Sequence, residues 1–176
     1  GKFIDDTEIT SKQMVELDTI KSFLHEIDNI SIGYSEINFL NADNLIEEQI
    51  GYRADNKGNS LITGKKGDWE ESWFVIGNDN LGDPIFINIK DSRLPVYSAQ
   101  HGIGRWEEIL LANSLDEFKM IIQAIKKLSI DRETPVSLEE NPISDKELND
   151  FFNKIINNNC ELDDWWWKAF LEIEDE

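Results

Sequence analysis

Residues 72–89 run Ser72-Trp73-Phe74-Val75-Ile76-Gly77-Asn78-Asp79-Asn80-Leu81-Gly82-Asp83-Pro84-Ile85-Phe86-Ile87-Asn88-Ile89. The first five are apolar on both faces, and residues 84–89 alternate with the two-residue period of a strand. Between them, Asp79-Asn80-Leu81-Gly82-Asp83 collects the residue types that build tight turns. The spacing predicts a β-hairpin with a central strand. Pro95-Val96-Tyr97-Ser98 adds a third strand, and Glu108-Ile109-Leu110-Leu111-Ala112 a fourth beyond a loop holding Gly102 and Gly104. Upstream, Ile30 and Ile32, then Ile37 and Phe39, alternate in the same way. Connections this short join antiparallel strands.

Helices flank this sheet. From Thr10 to about Asp28, Met14, Val15, Ile20, Phe23, Leu24 and Ile27 recur at helical spacing, with Thr10 and Gln13 as a capping box. A short helix is expected from Asn44 to Ile50, capped by Asn44 and Glu47 and stopped by Gly51. Residues 53–68 read as exposed loops around at most one short strand at Leu61-Ile62. Ser114 and Glu117 form a capping box ahead of Leu115, Phe118, Ile121, Ile122, Ile125 and Leu128, one face of a helix of about four turns. Residues 131–143, with Pro135 and Pro142, read as a linker. Ser144 and Glu147 then cap a helix bearing Leu148, Phe151, Phe152, Ile155 and Ile156, and a last helix runs from Asp163 or Asp164 to Ile173. The expected class is α+β: a domain over residues 1–130 with an antiparallel sheet and flanking helices, the 131–143 linker, and a C-terminal helical extension over 144–176 packed on or near it.

Composition bounds the function. The 176 residues are 40% hydrophobic and include nine Phe and six Trp, enough apolar surface for a core. Against 17 Lys and Arg stand 36 Asp and Glu, a formal charge of -19. Such a field repels nucleic-acid phosphates and anionic membrane surfaces, and it steers a basic protein toward the chain. Acidity that only keeps the protein soluble is the plainer alternative. The single Cys160 cannot form an internal disulfide, no apolar run reaches the ~20 residues of a membrane span, and the acidic first residues do not read as a signal peptide. A cytoplasmic location is expected.

Most chemistry is poorly provided for. His25, His101 and Cys160 stand in unrelated places, so no zinc ligand set is present, and the Asp79–Asp83 segment puts Leu81 where calcium would need a ligand. Adjacent acids such as Glu70-Glu71 and Glu107-Glu108 point to different faces and cannot share a reacting atom. No phosphate-cradling loop and no nucleophile elbow occurs. No cofactor, metal or catalytic residue is therefore assigned, and paired carboxylates across a cleft stay open only as a glycosidase-like option. His101 is either a ligand contact or a turn residue. Trp165-Trp166-Trp167 spans about 200° of a helix, so at least one of the three is expected to be partly exposed, against a partner, a second copy or the preceding helix. Trp69, beside Asp68, Glu70 and Glu71, is either an anchor for a basic, partly apolar partner or packed under its own loop.

The block from Trp73 to Asn88 resembles the central hairpin of the SUKH superfamily, which includes the yeast cell-wall-synthesis regulator linked to killer-toxin resistance and many bacterial immunity proteins. Ile37-Asn38-Phe39-Leu40, Pro95-Val96-Tyr97 leading to His101, and Asn113-Ser114-Leu115-Asp116-Glu117-Phe118 match in the same order, so the resemblance covers Ser11 to Leu128. The second N-terminal helix usual in that family is not evident, and the chain after Ser129 lies outside the resemblance. The resemblance implies a strongly bent antiparallel sheet and a non-catalytic binding role, such as an immunity protein that neutralises a cognate, basic, possibly nuclease toxin. The alternative it implies is an intracellular regulatory scaffold related to control of cell-wall synthesis. Asp68, Trp69, Glu70, Glu71, Asp79, Asp83 and His101 are the candidate partner contacts.

Overall fold

A computed structural model describes residues 10–156 and 162–173. Cys160 and the start of the chain lie outside the described residues. Helix α1 (Ser11–Glu26) opens at the expected capping box: the Gln13 amide donates to Thr10 Oγ1 at 3.2 Å, and the Thr10 amide to Gln13 Oε1 at 2.9 Å. Its inward stripe is Leu17, Ile20, Phe23 and Leu24. Met14 and Val15, expected in that stripe, are exposed; Val15 is rotated about 160° from Leu17 on a helix with 100° per residue.

Strands β1 (Ile30–Ile32), β2 (Ser35–Phe39), β3 (Trp73–Asp79), β4 (Pro84–Asn88), β5 (Val96–Ser98) and β6 (Ile109–Ala112) form one curled sheet in sequence order, every neighbouring pair antiparallel. Alternation along the hairpin sorts its side chains. Phe74, Ile76, Ile85 and Ile87 join the main core with α1 and α2, while Trp73, Val75 and Phe86 face a second, aromatic core with Trp69 and Ala99. Tyr52, Tyr97 and Trp106 complete that second layer. Both faces of β3 are thus covered, as its continuous apolar run requires.

Before β3, one expected element differs. In place of a helix over 44–50 there are two single 3-10 turns, Ala42–Asn44 and Glu47–Gln49, the first capped by Asn41. The second turn is tied to β3 just past the end of the β2–β3 ladder at Phe39–Gly77. The Gln49 side chain, wholly buried, accepts from the Val75 amide at 2.8 Å and donates to the Val75 carbonyl at 2.9 Å, standing in for a strand partner. Residues 53–68 are loops, as expected, and Leu61-Ile62 does not form the one short strand allowed there; residues 50–60 hold only isolated bridges, and the Asp55 carboxylate gathers the amides of Lys57 and Asn59 into a turn.

After α2 (Leu115–Ser129), where Ser114 accepts from the Glu117 amide at 3.0 Å and the expected face is buried except for the partly buried Leu128, residues 131–143 are not a bare linker. They contain α3 (Pro135–Glu140), with Thr134 and Ser137 as its capping box. Pro135 sits at the first helical position, where its missing amide hydrogen costs nothing. Helix α4 (Asp145–Asp150) runs on into a π-helical turn, Phe151–Ile156, whose wider i to i+5 spacing brings Phe151, Phe152 and Ile156 to one buried side. Helix α5 (Asp164–Phe170) is shorter than expected. The side chains of Phe151, Phe152, Ile156, Trp166, Trp167 and Phe170 belong to the same core as α1, α2 and the sheet.

Arg132 pins this segment. Its guanidinium, nearly buried, donates to the carbonyls of Asn141 (2.7 Å) and Leu128 (3.0 Å) and to both carboxylate oxygens of Glu147 (3.0 and 3.1 Å). The Arg132 hydrogen bonds, followed by the Ser144 amide and hydroxyl, lower the Glu147 carboxyl to about 2. A carboxyl depressed on folding stabilises fully above the ordinary glutamate range and loses that contribution as pH falls through its folded value. Glu147→Gln is accordingly expected to cost about 1–2 kcal/mol at neutral pH, discounted for the partial exposure of Glu147. Urea midpoints of the two proteins are expected to converge as pH drops from about 5 to about 2; a gap that stays constant would refute the assignment.

Candidate functional site

Hydrogen bonding within the β3–β4 turn fixes the site's acidic side. Asp79 Oδ1 accepts from the amides of Leu81 (2.9 Å) and Asp83 (3.0 Å), and Gly82 takes φ +82°, a conformation glycine adopts without strain. Asn80 ties the turn to β2 by accepting from the Glu36 amide at 3.4 Å. Asp83 Oδ1 in turn accepts from the His101 amide at 3.0 Å and meets His101 Nδ1 at 2.5 Å. Asp79, Asp83 and His101, singled out in the sequence, are therefore one hydrogen-bonded group.

The other candidates are elsewhere. Asp68, Trp69, Glu70 and Glu71 precede β3 while Asp79 ends it and Asp83 lies beyond, and a strand of that length separates the two groups by about 20 Å. Trp69 is no surface anchor: it is 2% exposed, its Nε1 donates to the Trp73 carbonyl at 3.1 Å, and its ring packs on Tyr52, Trp73, Phe86 and Trp106. Asp68 accepts from the Thr63 hydroxyl at 2.6 Å within the same loop, whereas Glu70 and Glu71 are exposed.

Around the turn lies a cleft of about 560 Å³. Asp79, Asp83 and His101 form one wall; Ile109 and the α5 residues Trp165, Trp166 and Phe170 form another. Trp166 and Phe170 stack at 5.6 Å with an interplanar angle of 13°, and Trp165 is 50% exposed, as the consecutive Trp run requires. Tyr34 in the β1–β2 turn and Leu81 are also strongly exposed at this end of the sheet. The contribution of α5 was not foreseen; only the rotation of three successive Trp residues hinted at it.

Electrostatically, Asp79 is the desolvated carboxyl of the cleft. Burial pushes the Asp79 carboxyl above the ordinary aspartate range, against the opposing pull of the Asp83 and Leu81 amides and of His101. Ser98, also lining the cleft, donates its hydroxyl to the Pro84 carbonyl at 2.9 Å. Among the described residues, no three of His, Cys, Asp and Glu group in a way that could hold a metal ion, and no helix is long and apolar enough to cross a membrane. Compared with protein-family models, curated proteins and solved structures, the chain shows no match.

Proposed function

We propose that this chain is a non-catalytic binding protein of the SUKH type that neutralises a cognate, basic protein toxin, and that it does so with the hairpin end of its sheet. The observation that carries the reading is the cleft, whose one wall is carboxylate and whose other is indole and phenyl, with exposed Tyr34, Leu81 and Trp165 beside it. Aromatic anchors in an acidic surround suit a cationic partner surface, and a charge of -19 speeds the encounter. The principal carboxylate is engaged in holding a turn, which suits a recognition element better than a proton shuttle. A cytoplasmic location and the absence of nucleic-acid binding belong to the same reading. The alternative is a regulatory scaffold whose partners bind weakly through the C-terminal helices; the apolar side chains of those helices are largely taken up by the main core, which supports the hairpin end as the docking surface instead.

The test is co-expression with the toxic domain encoded beside this chain's reading frame. Growth is expected to be restored, and the purified pair to bind with a Kd that weakens about tenfold or more between roughly 0.05 and 0.3 M salt. No rescue by the intact chain, or rescue without direct binding, would overturn the proposal.

A further inference from the structure

We infer that the hairpin-end cleft receives one arginine side chain of the protein partner, its guanidinium held by the Asp79 and Asp83 carboxylates and stacked on the Trp165 indole. The inference rests on the binding role proposed above and gives the partner's contact a chemical identity.

Three observations converge. First, Asp79 is 8% exposed, and only its Oδ1 is engaged; Oδ2 has no hydrogen-bond partner among the described residues. Asp83 repeats the pattern, with Oδ1 on His101 and Oδ2 without a partner among those residues. Both carboxylates line the cleft and each keeps one oxygen for a further donor, which the fork of N–H groups on a guanidinium supplies. Second, the part of the cleft that α5 contributes is aromatic: Trp165 presents half its surface, and Trp166 and Phe170 stack on each other. A planar, weakly hydrated guanidinium stacks on such a face, whereas a compact ammonium keeps its water and makes no bidentate pair. Third, the mouth is flanked by exposed Tyr34 and Leu81, an apolar border that a protein surface covers and a free small cation leaves wet.

Other features carry less. The groove between α2 and α4, around Met120 and Ile155, is apolar, but nothing in the structure shows what covers it. The cleft near Lys66, Lys90 and Arg105 has Arg105 already paired with Glu107 at 2.5 Å.

The experiment titrates the full chain with blocked Gly-Arg-Gly peptide and with its lysine and citrulline counterparts, following the Trp165 indole and the backbone amides of residues 79–83 and 101 by NMR. The arginine peptide is expected to shift these signals at millimolar concentration, the lysine peptide to bind several-fold more weakly, and citrulline not at all. Asp83→Asn and Trp165→Ala, both at partly exposed positions, should each weaken the arginine peptide about tenfold while the rest of the spectrum stays native. Equal binding of citrulline, no shifts at about 10 mM, or free arginine binding far more tightly than the blocked peptide would overturn the inference. The two readings separate with the toxin itself. If the intact chain rescues and both variants rescue and bind equally well, the cleft assignment fails and the neutralising role stands. If the intact chain does not rescue, the role fails and the peptide titration still decides the cleft.

Discussion

Trp167→Ala is expected to destabilise the protein by about 3–5 kcal/mol, a large share of the stability of a domain of this size. Trp167 is fully buried; its ring lies 6.3 Å from Phe118 of α2 and 6.0 Å from Phe170, and its Nε1 donates to the Leu111 carbonyl at 3.0 Å. Truncation removes the packing, leaves a large cavity and strands that carbonyl without its donor. The adjacent Trp165 supplies the control, since a half-exposed ring should cost about 0.5–1 kcal/mol on the same substitution. Urea denaturation of the two variants reads the contrast directly, and similar losses at 165 and 167 would contradict the burial described. The same packing means that deletion after Ser129 opens the main core instead of removing a detachable arm, so loss of binding on such a deletion says nothing about where a partner docks.

Gly77→Ala is expected to cost about 3 kcal/mol, through crowding alone. The φ of Gly77 is not in the left-handed region, so alanine fits its backbone; the obstacle is β2. A Cβ there would stand 2.5 Å from the Asn38 carbonyl oxygen and 3.2 Å from Phe39 Cα. Those are main-chain atoms of a ladder that consists of Ile37–Asp79, Asn38–Asn78 and Phe39–Gly77, and they cannot retreat without parting it. Faster hydrogen exchange in β2 should accompany the fall in midpoint. An unchanged midpoint would mean that β2 does not run this close to β3.

The hairpin and α2 were legible because local chemistry and burial pattern agree there: Asp79 with Gly82 writes a turn, and Ser114 ahead of Phe118, Ile121, Ile122 and Ile125 writes a capped amphipathic helix. Gln49 was not legible, since it bonds the backbone of Val75, far away in sequence, and nothing in Glu47-Glu48-Gln49 announces a buried amide. Trp69 misleads for a related reason: acidic neighbours in sequence say nothing about which way the ring turns, and Tyr52, Phe86 and Trp106 come to it from distant segments. Pro135 reads as a breaker until Thr134 and Ser137 are seen to cap the helix it begins. Of the cleft, the Asp79–Asp83–His101 side could be anticipated from the turn and the following loop. Its aromatic wall depends on how the curled sheet brings α5 across β6, which no local pattern records.

The chain after α2 also acts on the two outermost strands. Edge strands present backbone groups able to template pairing with another chain. On β6, Asp163 occupies both groups of Leu110, its carboxylate accepting the amide at 3.1 Å and its amide donating to the carbonyl at 3.2 Å. Beside β1, the Arg132 carbonyl accepts from the Gly33 amide at 2.9 Å, and the Glu133 carbonyl from the Ser31 hydroxyl at 2.8 Å. A product ending before residue 163 would leave β6 open to sheet-to-sheet aggregation, whatever solubility its charge confers. For the intact protein, a partner that tried to extend the sheet by adding a strand at β6 would first have to displace Asp163.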